Sequence, residues 1–164
     1  MPNQRAQSHA NHEPRVDQPN LLRRDLRRSF TSDARSLFTR LPHGMAYADT
    51  LIECLATGYL IAVVESICIK EMQQHIHPDI EVVVGRSIRI EHRAPIPPGA
   101  AIRVSGWVEQ VGRRSTTFCI RAFDDHELVC EGQVTLVAVD RKAIESTIAT
   151  KLGGSQPSVV IPHA

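Results

Sequence analysis

Two periodicities divide the middle of this chain. From Gly58 to about Gln74 the apolar residues Leu60, Val63, Val64, Ile67 and Cys68 recur at i, i+3, i+4, i+7 and i+8, and Ile61 and Ile69 widen the stripe. That period is helical, and a band this wide predicts a helix buried on most of its circumference. It should end near His77-Pro78, since a residue before proline avoids helical dihedrals. Beyond it the period drops to two, predicting strands over 81–93, 101–111, 116–123 and 127–139. Gly112-Arg113-Arg114 and Asp124-Asp125 supply hairpin turns, and Pro95, Pro97, Pro98 and Gly99 make the first connection a rigid loop.

Weaker signals flank this block. One short strand is expected within 30–40, and Thr50-x-x-Glu53 has the capping-box spacing for a short helix starting at Leu51. Asp140 can cap a last helix from Arg141 to Thr150. Residues 1–28 are poor in large apolar side chains and read as a flexible extension; residues 152–164, with Gly153-Gly154 and two prolines, read as a second loose end. The domain is then 29–151. One long helix followed by an antiparallel meander is an α+β domain, its sheet wrapped around the helix.

Composition narrows the functional classes. Lys+Arg 19 against Asp+Glu 18 leaves the chain nearly neutral, which argues against nucleic-acid binding by bulk charge. Aromatic residues are only 4%, too few for a base-stacking platform. The apolar stretch Tyr59 to Ile69 is too short to span a bilayer and contains Glu65, so no membrane partner is expected. Residues 1–20 lack the apolar centre of a signal peptide, and the four cysteines show no metal-type spacing; a reducing, cytoplasmic setting follows. No metal or cofactor is expected. His75-Ile76-His77 is discounted as a metal site, because Pro78 breaks the helix and no carboxylate or thiolate stands near in sequence.

Three residues invite chemistry, each with a plainer alternative. Glu65 is the single charged side chain of Gly58–Ile69, so it needs a partner or a proton, unless it lies on a wet edge beside Ser66 and Lys70. His92 ends the parity row Val84, Ile88, Ile90, which should face the helix; it is either a satisfied core histidine or an acid–base group working with Glu65. Thr57, just before Gly58, has the place of an ordinary N-cap. Arg86, Arg89, Arg93, Arg113 and Arg114 are solvated edge residues or contacts for the phosphates of a nucleotide-like handle.

The run Leu55-Ala56-Thr57-Gly58-Tyr59-Leu60, then Glu65-Ser66-Ile67-Cys68, Gly85, His92-Arg93-Ala94 and Pro97-Pro98-Gly99 resembles the fluoroacetyl-CoA thioesterase group of hot-dog-fold proteins. The likeness runs from about Leu55 to Val139 and aligns with one extra residue before His92. It implies a hot-dog domain that hydrolyses an acyl-CoA or acyl-carrier thioester to acid and thiol, as a homodimer or dimer of dimers, without metal. Thr57, Glu65 and His92 match the group's catalytic threonine, glutamate and histidine. Gly85 matches a glycine where the backbone meets the thioester, and Gly58 and Arg93, beside the reactive residues, are assigned with it to substrate binding. The chain departs from the group in 41–54, which lacks the aromatic lid expected for a fluorinated substrate, and after Gly132, where Val134-Thr135-Leu136 replaces His-Glu-Arg.

The alternatives are a hot-dog dehydratase or hydratase and a non-catalytic acyl-CoA-binding dimer. Dehydratases of this fold place the histidine before the helical glutamate; here Glu65 precedes His92. In one continuous helix Thr57 and Glu65 would stand roughly 12 Å apart along the axis, too far to hydrogen-bond. Both can serve one substrate only if it lies between them or if one comes from a second subunit.

Overall fold

The computed structural model describes residues 25–31 and 52–153. Five antiparallel strands form one sheet in the order β1-β3-β4-β5-β2: β1 Asp25–Thr31, β2 Glu81–His92, β3 Ala101–Val111, β4 Ser115–Phe123 and β5 Leu128–Asp140. Helix α1, Thr57–Met72, lies on one face, and α2, Arg141–Gly153, follows β5. Period-two apolar alternation places Ile102, Val104, Phe118, Ile120, Val134 and Leu136 in the buried face, against Leu60, Val64, Cys68 and Met72 of α1. This is the predicted α+β arrangement.

Both hairpins form where the turn residues stand. The amide of Gly112 donates to the carbonyl of Ser115 at 2.7 Å. The carboxylate of Asp124 accepts from the amides of His126 and Glu127, each at 2.8 Å, and those bonds hold its pKa below the ordinary value. Asp140 accepts from the amide of Ala143 at 2.8 Å, the expected cap of α2. Gly106 and Gly132 flank Ile120 in one cross-sheet row. A Cβ on Gly132 would strike the Arg89 carbonyl of the neighbouring strand, so the row admits glycine there and the strands close tightly.

Several expectations are corrected. β1 begins at Asp25, so Asp25–Arg28, assigned by composition to a flexible extension, pair with Trp107 to Val104 of β3. Backbone pairing, which composition does not register, outweighs the polarity of that stretch. Residues 1–24, 32–51 and 154–164 lie outside the described residues, and with them Thr50, Leu51 and most of the strand expected within 30–40. No helix runs through 52–56; the amide of Leu55 instead donates to the Ile96 carbonyl at 2.9 Å, tying two fully buried residues together. The helix α1 is not buried all round: Leu60, Val64, Cys68, Glu71 and Met72 are, while Ile61, Val63, Ile67 and Ile69 are half-exposed.

The parity expected for β2 also changes midway. Val83, not Val84, is buried at the start of the strand. A β-bulge between Gly85 and Ser87 inserts Arg86 as an unpaired residue, and the core-facing row passes from odd to even numbers. Beyond it Ile88 and His92 pair with the buried Val134 and Cys130. The bulge thus returns His92 to the helix face.

Candidate active site

Thr57 is the first residue of α1, and the N-cap position belongs to Ala56, which makes no side-chain cap bond. The Thr57 hydroxyl is spent elsewhere. Its Oγ1 stands 2.9 Å from Nδ1 of His92, the last residue of β2. The capping role expected from its position is therefore replaced by a contact across the fold.

The Leu55–Ile96 backbone bond and the bond from the Arg93 amide to the Val129 carbonyl, 2.8 Å, hold the two ends together. His92 Nε2 is buried, with no hydrogen-bond partner among the described residues. Burial pushes the imidazole below its ordinary pKa of 6.5, against a smaller opposing contribution from the Ala94 backbone. Near neutral pH His92 is uncharged and able to take a proton.

Cys54, Thr57, His92, Arg93, Ala94 and Pro95 line an open groove of about 300 Å³ beside this pair. Cys54 and Pro95 were not among the residues singled out by sequence; Cys54 stands three positions before Thr57, and only its place in the groove distinguishes it. Arg93 is already engaged. Its Nη2 meets Glu91 at 2.8 Å and also Glu131, so it bridges two carboxylates that face one another across β2 and β5. Like charges opposed in a sheet repel, and the guanidinium offsets that. Gly58 is exposed and nothing crowds the place of its missing Cβ.

Glu65 is half-buried at a different place. A Cβ on Gly85 would overlap its carboxylate, so glycine at 85 makes the room that Glu65 occupies against the bulge of β2. Glu65 adds to the burial that pushes the Cys68 thiol up to about 12. Within one chain the expected trio is therefore split. Thr57 and His92 meet at one end; Glu65 sits with Gly85, about 12 Å along the helix and roughly 20 Å back along the strand. Within one chain Thr57, not Glu65, is in hydrogen-bond contact with His92.

A second hollow of about 350 Å³ lies on the opposite face of the sheet, where Arg121 stacks 5.8 Å from the Trp107 ring centre. Of its polar groups Gln133 bonds Glu109 and Arg121 pairs with Glu131, and its lining holds no histidine or hydroxyl. Among the described residues, no group of three or more His, Cys, Asp or Glu is placed to hold a metal ion.

Residues 43–142 match the family model described as fluoroacetyl-CoA-specific thioesterase. The chain belongs to this family. The match takes in Thr57, Glu65, Gly85 and His92 and ends at the start of α2. A fluoroacetyl-CoA thioesterase of Streptantibioticus cattleyicolor is 28% identical over 80 residues, 49% of this chain and 57% of that protein. The chain thus aligns with little more than half the length of that curated relative.

Among solved structures, the fluoroacetyl-CoA thioesterase FlK superposes with a TM-score of 0.74 at 20% identity, covering 78% of this chain and 94% of that one. A hot-dog-like protein from Thermanaerovibrio acidaminovorans superposes with a TM-score of 0.70 at 18% identity, covering 85% and 100%. The fold of this family member is the hot-dog fold.

Proposed function

We propose that this thioesterase-family chain hydrolyses an acyl-CoA thioester to the free acid and coenzyme A, as a homodimer whose two sites are shared between subunits. The observation that carries the reading is the Thr57 hydroxyl on Nδ1 of an uncharged His92 at the wall of a groove. In this reading Nδ1–H donates to the Thr57 hydroxyl oxygen, and the lone pair on Nε2, which has no partner among the described residues, is the base. It takes a proton from water as the water oxygen bonds the thioester carbon, and returns that proton to the sulfur when the carbon–sulfur bond breaks. Donors at the helix start polarise the carbonyl oxygen.

The dimer supplies the carboxylate. Among the described residues β2 is an edge strand twelve residues long, with Gly85, Arg86 and Ser87 exposed, and an edge of that length invites a second copy. Antiparallel pairing with the partner's β2 runs His92 of one protomer toward Gly85 and Glu65 of the other. The half-exposed Ile61, Val63, Ile67 and Ile69 of α1 then gain cover. In this arrangement the partner's Glu65 orients the attacking water. All four cysteines are free, in keeping with a reducing, cytoplasmic setting. No helix among the described residues is long and apolar enough to cross a membrane.

The test is thiol release from a panel of acetyl-, fluoroacetyl-, longer aliphatic and aromatic acyl-CoAs, with sedimentation run alongside. Turnover of at least one member by a dimer is the expected result. Saturable binding with no thiol released from any of them would make the chain a non-catalytic acyl-CoA-binding dimer instead.

A further inference from the structure

Helix α2 has no buried residue, although Ile144, Ile148 and Leu152 recur at i, i+4 and i+8 and make one apolar stripe. Ile148 is 52% and Leu152 81% exposed. Among the described residues Ile144 is half-buried and nothing covers the rest of the stripe. The family match ends at residue 142, within the first turn of this helix.

Its start is nevertheless fixed with respect to β2. The Arg141 amide donates to the Ile80 carbonyl at 2.9 Å, and the Arg141 guanidinium reaches the carbonyls of Pro78 at 3.2 Å and Glu81 at 3.4 Å. Asp140, just before the helix, pairs with Glu81, the first residue of β2. The helix is therefore pinned to the beginning of the edge strand. The Thr57–His92 groove lies at the other end of that strand and is open among the described residues.

Antiparallel strands about a two-fold axis exchange ends: the beginning of one lies beside the end of the other. On the dimer proposed above, the start of α2 therefore falls beside the residues that follow the partner's β2. Among these are the partner's Ala94 and the partner's Pro95, which form the apolar side of the groove. We infer that the Ile144–Ile148–Leu152 stripe of each α2 seats on the Ala94–Pro95 side of the partner subunit's groove and closes it, making α2 a wall that selects the acyl group. An open groove and an uncovered stripe then complete one another, and the site is unfinished without the second copy.

The inference rests on the dimer of the proposed function, so its test reads seating apart from turnover. In the full chain, Ile148→Cys and Leu152→Cys are prepared and exposed to mild oxidation or a short bis-maleimide. The native thiol at the groove, Cys54, is the intended partner. Covalent dimer should form in at least one variant and disappear when Cys54→Ser is added. In parallel, Ile148→Glu should stay dimeric by sedimentation while its relative kcat/KM across the acyl-CoA panel shifts about tenfold or more against the longer apolar acyl groups. A dimer that gives no Cys54-dependent crosslink from either position, with Ile148→Glu keeping the parent selectivity, overturns the role of α2 and leaves the thioesterase reading intact. A monomer, by contrast, would overturn both. Absence of hydrolysis in the parent with the crosslink present would overturn the thioesterase reading and confirm the seating of α2.

Discussion

Thr57 Oγ1 stands 2.9 Å from His92 Nδ1, although the two residues are 35 positions apart in the chain. A helix start and a strand end are thereby joined by side chains, at a place where the sequence offered an ordinary cap. The contact occupies Nδ1, while Nε2 has no partner among the described residues.

Thr57→Val keeps the shape and removes that hydroxyl. Turnover should fall by about tenfold to a hundredfold, the scale of a lost orienting or polarising bond. Melting should change little, because Thr57 caps no helix amide. Thr57→Ser should keep most of the activity. Steady-state kinetics with a melting curve separates the outcomes; a large drop in melting temperature with parent turnover would make the contact purely structural.

The pH dependence follows from the burial of His92. Its folded pKa lies below 6.5, so kcat/KM should hold down to that pH and fall on an acid limb with its midpoint lower still. Stability obeys the same sign. Above the unfolded pKa both states carry a neutral imidazole; as pH falls through it, the unfolded chain binds the proton first and His92 lowers stability. A kcat/KM profile and pH-dependent melts check this, and a limb centred well above 6.5 would contradict it.

Two glycines should answer alanine in opposite ways. At Gly85 the new methyl meets the end of a flexible side chain, the Glu65 carboxylate, which can swing away. The expected result is near-parent melting with turnover reduced about tenfold or more, since a displaced carboxylate loses its alignment. At Gly132 the methyl meets backbone, with the Cα of Ile90 at 2.9 Å and the Arg89 carbonyl nearer still. Overpacking of that kind costs about 1–3 kcal/mol, so Gly132→Ala should melt earlier. Equal melting of the two variants would go against the packing described.

Deleting residues 1–28 should lower the melting temperature, because Asp25–Arg28 form four of the pairs between β1 and β3. Loss of these pairs bares part of the β3 edge. Unchanged melting would mean that this strand contributes nothing to stability.

Much of the domain was legible from periodicity. The bounds of β2 to β5 and of α1 lie within about two residues of those read from alternation and the helical stripe, because burial on one face writes its period directly into sequence. What period could not show was where it breaks. The bulge at Arg86 reverses the facing of β2 and moves burial from Val84 to Val83, with no residue-type signal to announce it. β1 escaped for a different reason: Asp25–Arg28 are polar, and their pairing with β3 is set by a partner some eighty residues away. At the site, position alone left Thr57 an ordinary cap while the resemblance placed it with Glu65 and His92; that its hydroxyl meets Nδ1 of His92 could not be read from spacing. The Glu65–Gly85 packing depends on two elements crossing and is invisible to spacing along either.

We propose that His92, oriented by Thr57, is the base of an acyl-CoA hydrolase. The most direct measurement is the single-turnover rate of thiol release from the best acyl-CoA by His92→Ala, folded and dimeric, against the parent. The account predicts a loss of about 10²-fold or more. It also predicts that the acid limb set by His92 disappears from the residual rate. Release at the parent rate, with the same limb, would contradict the claim.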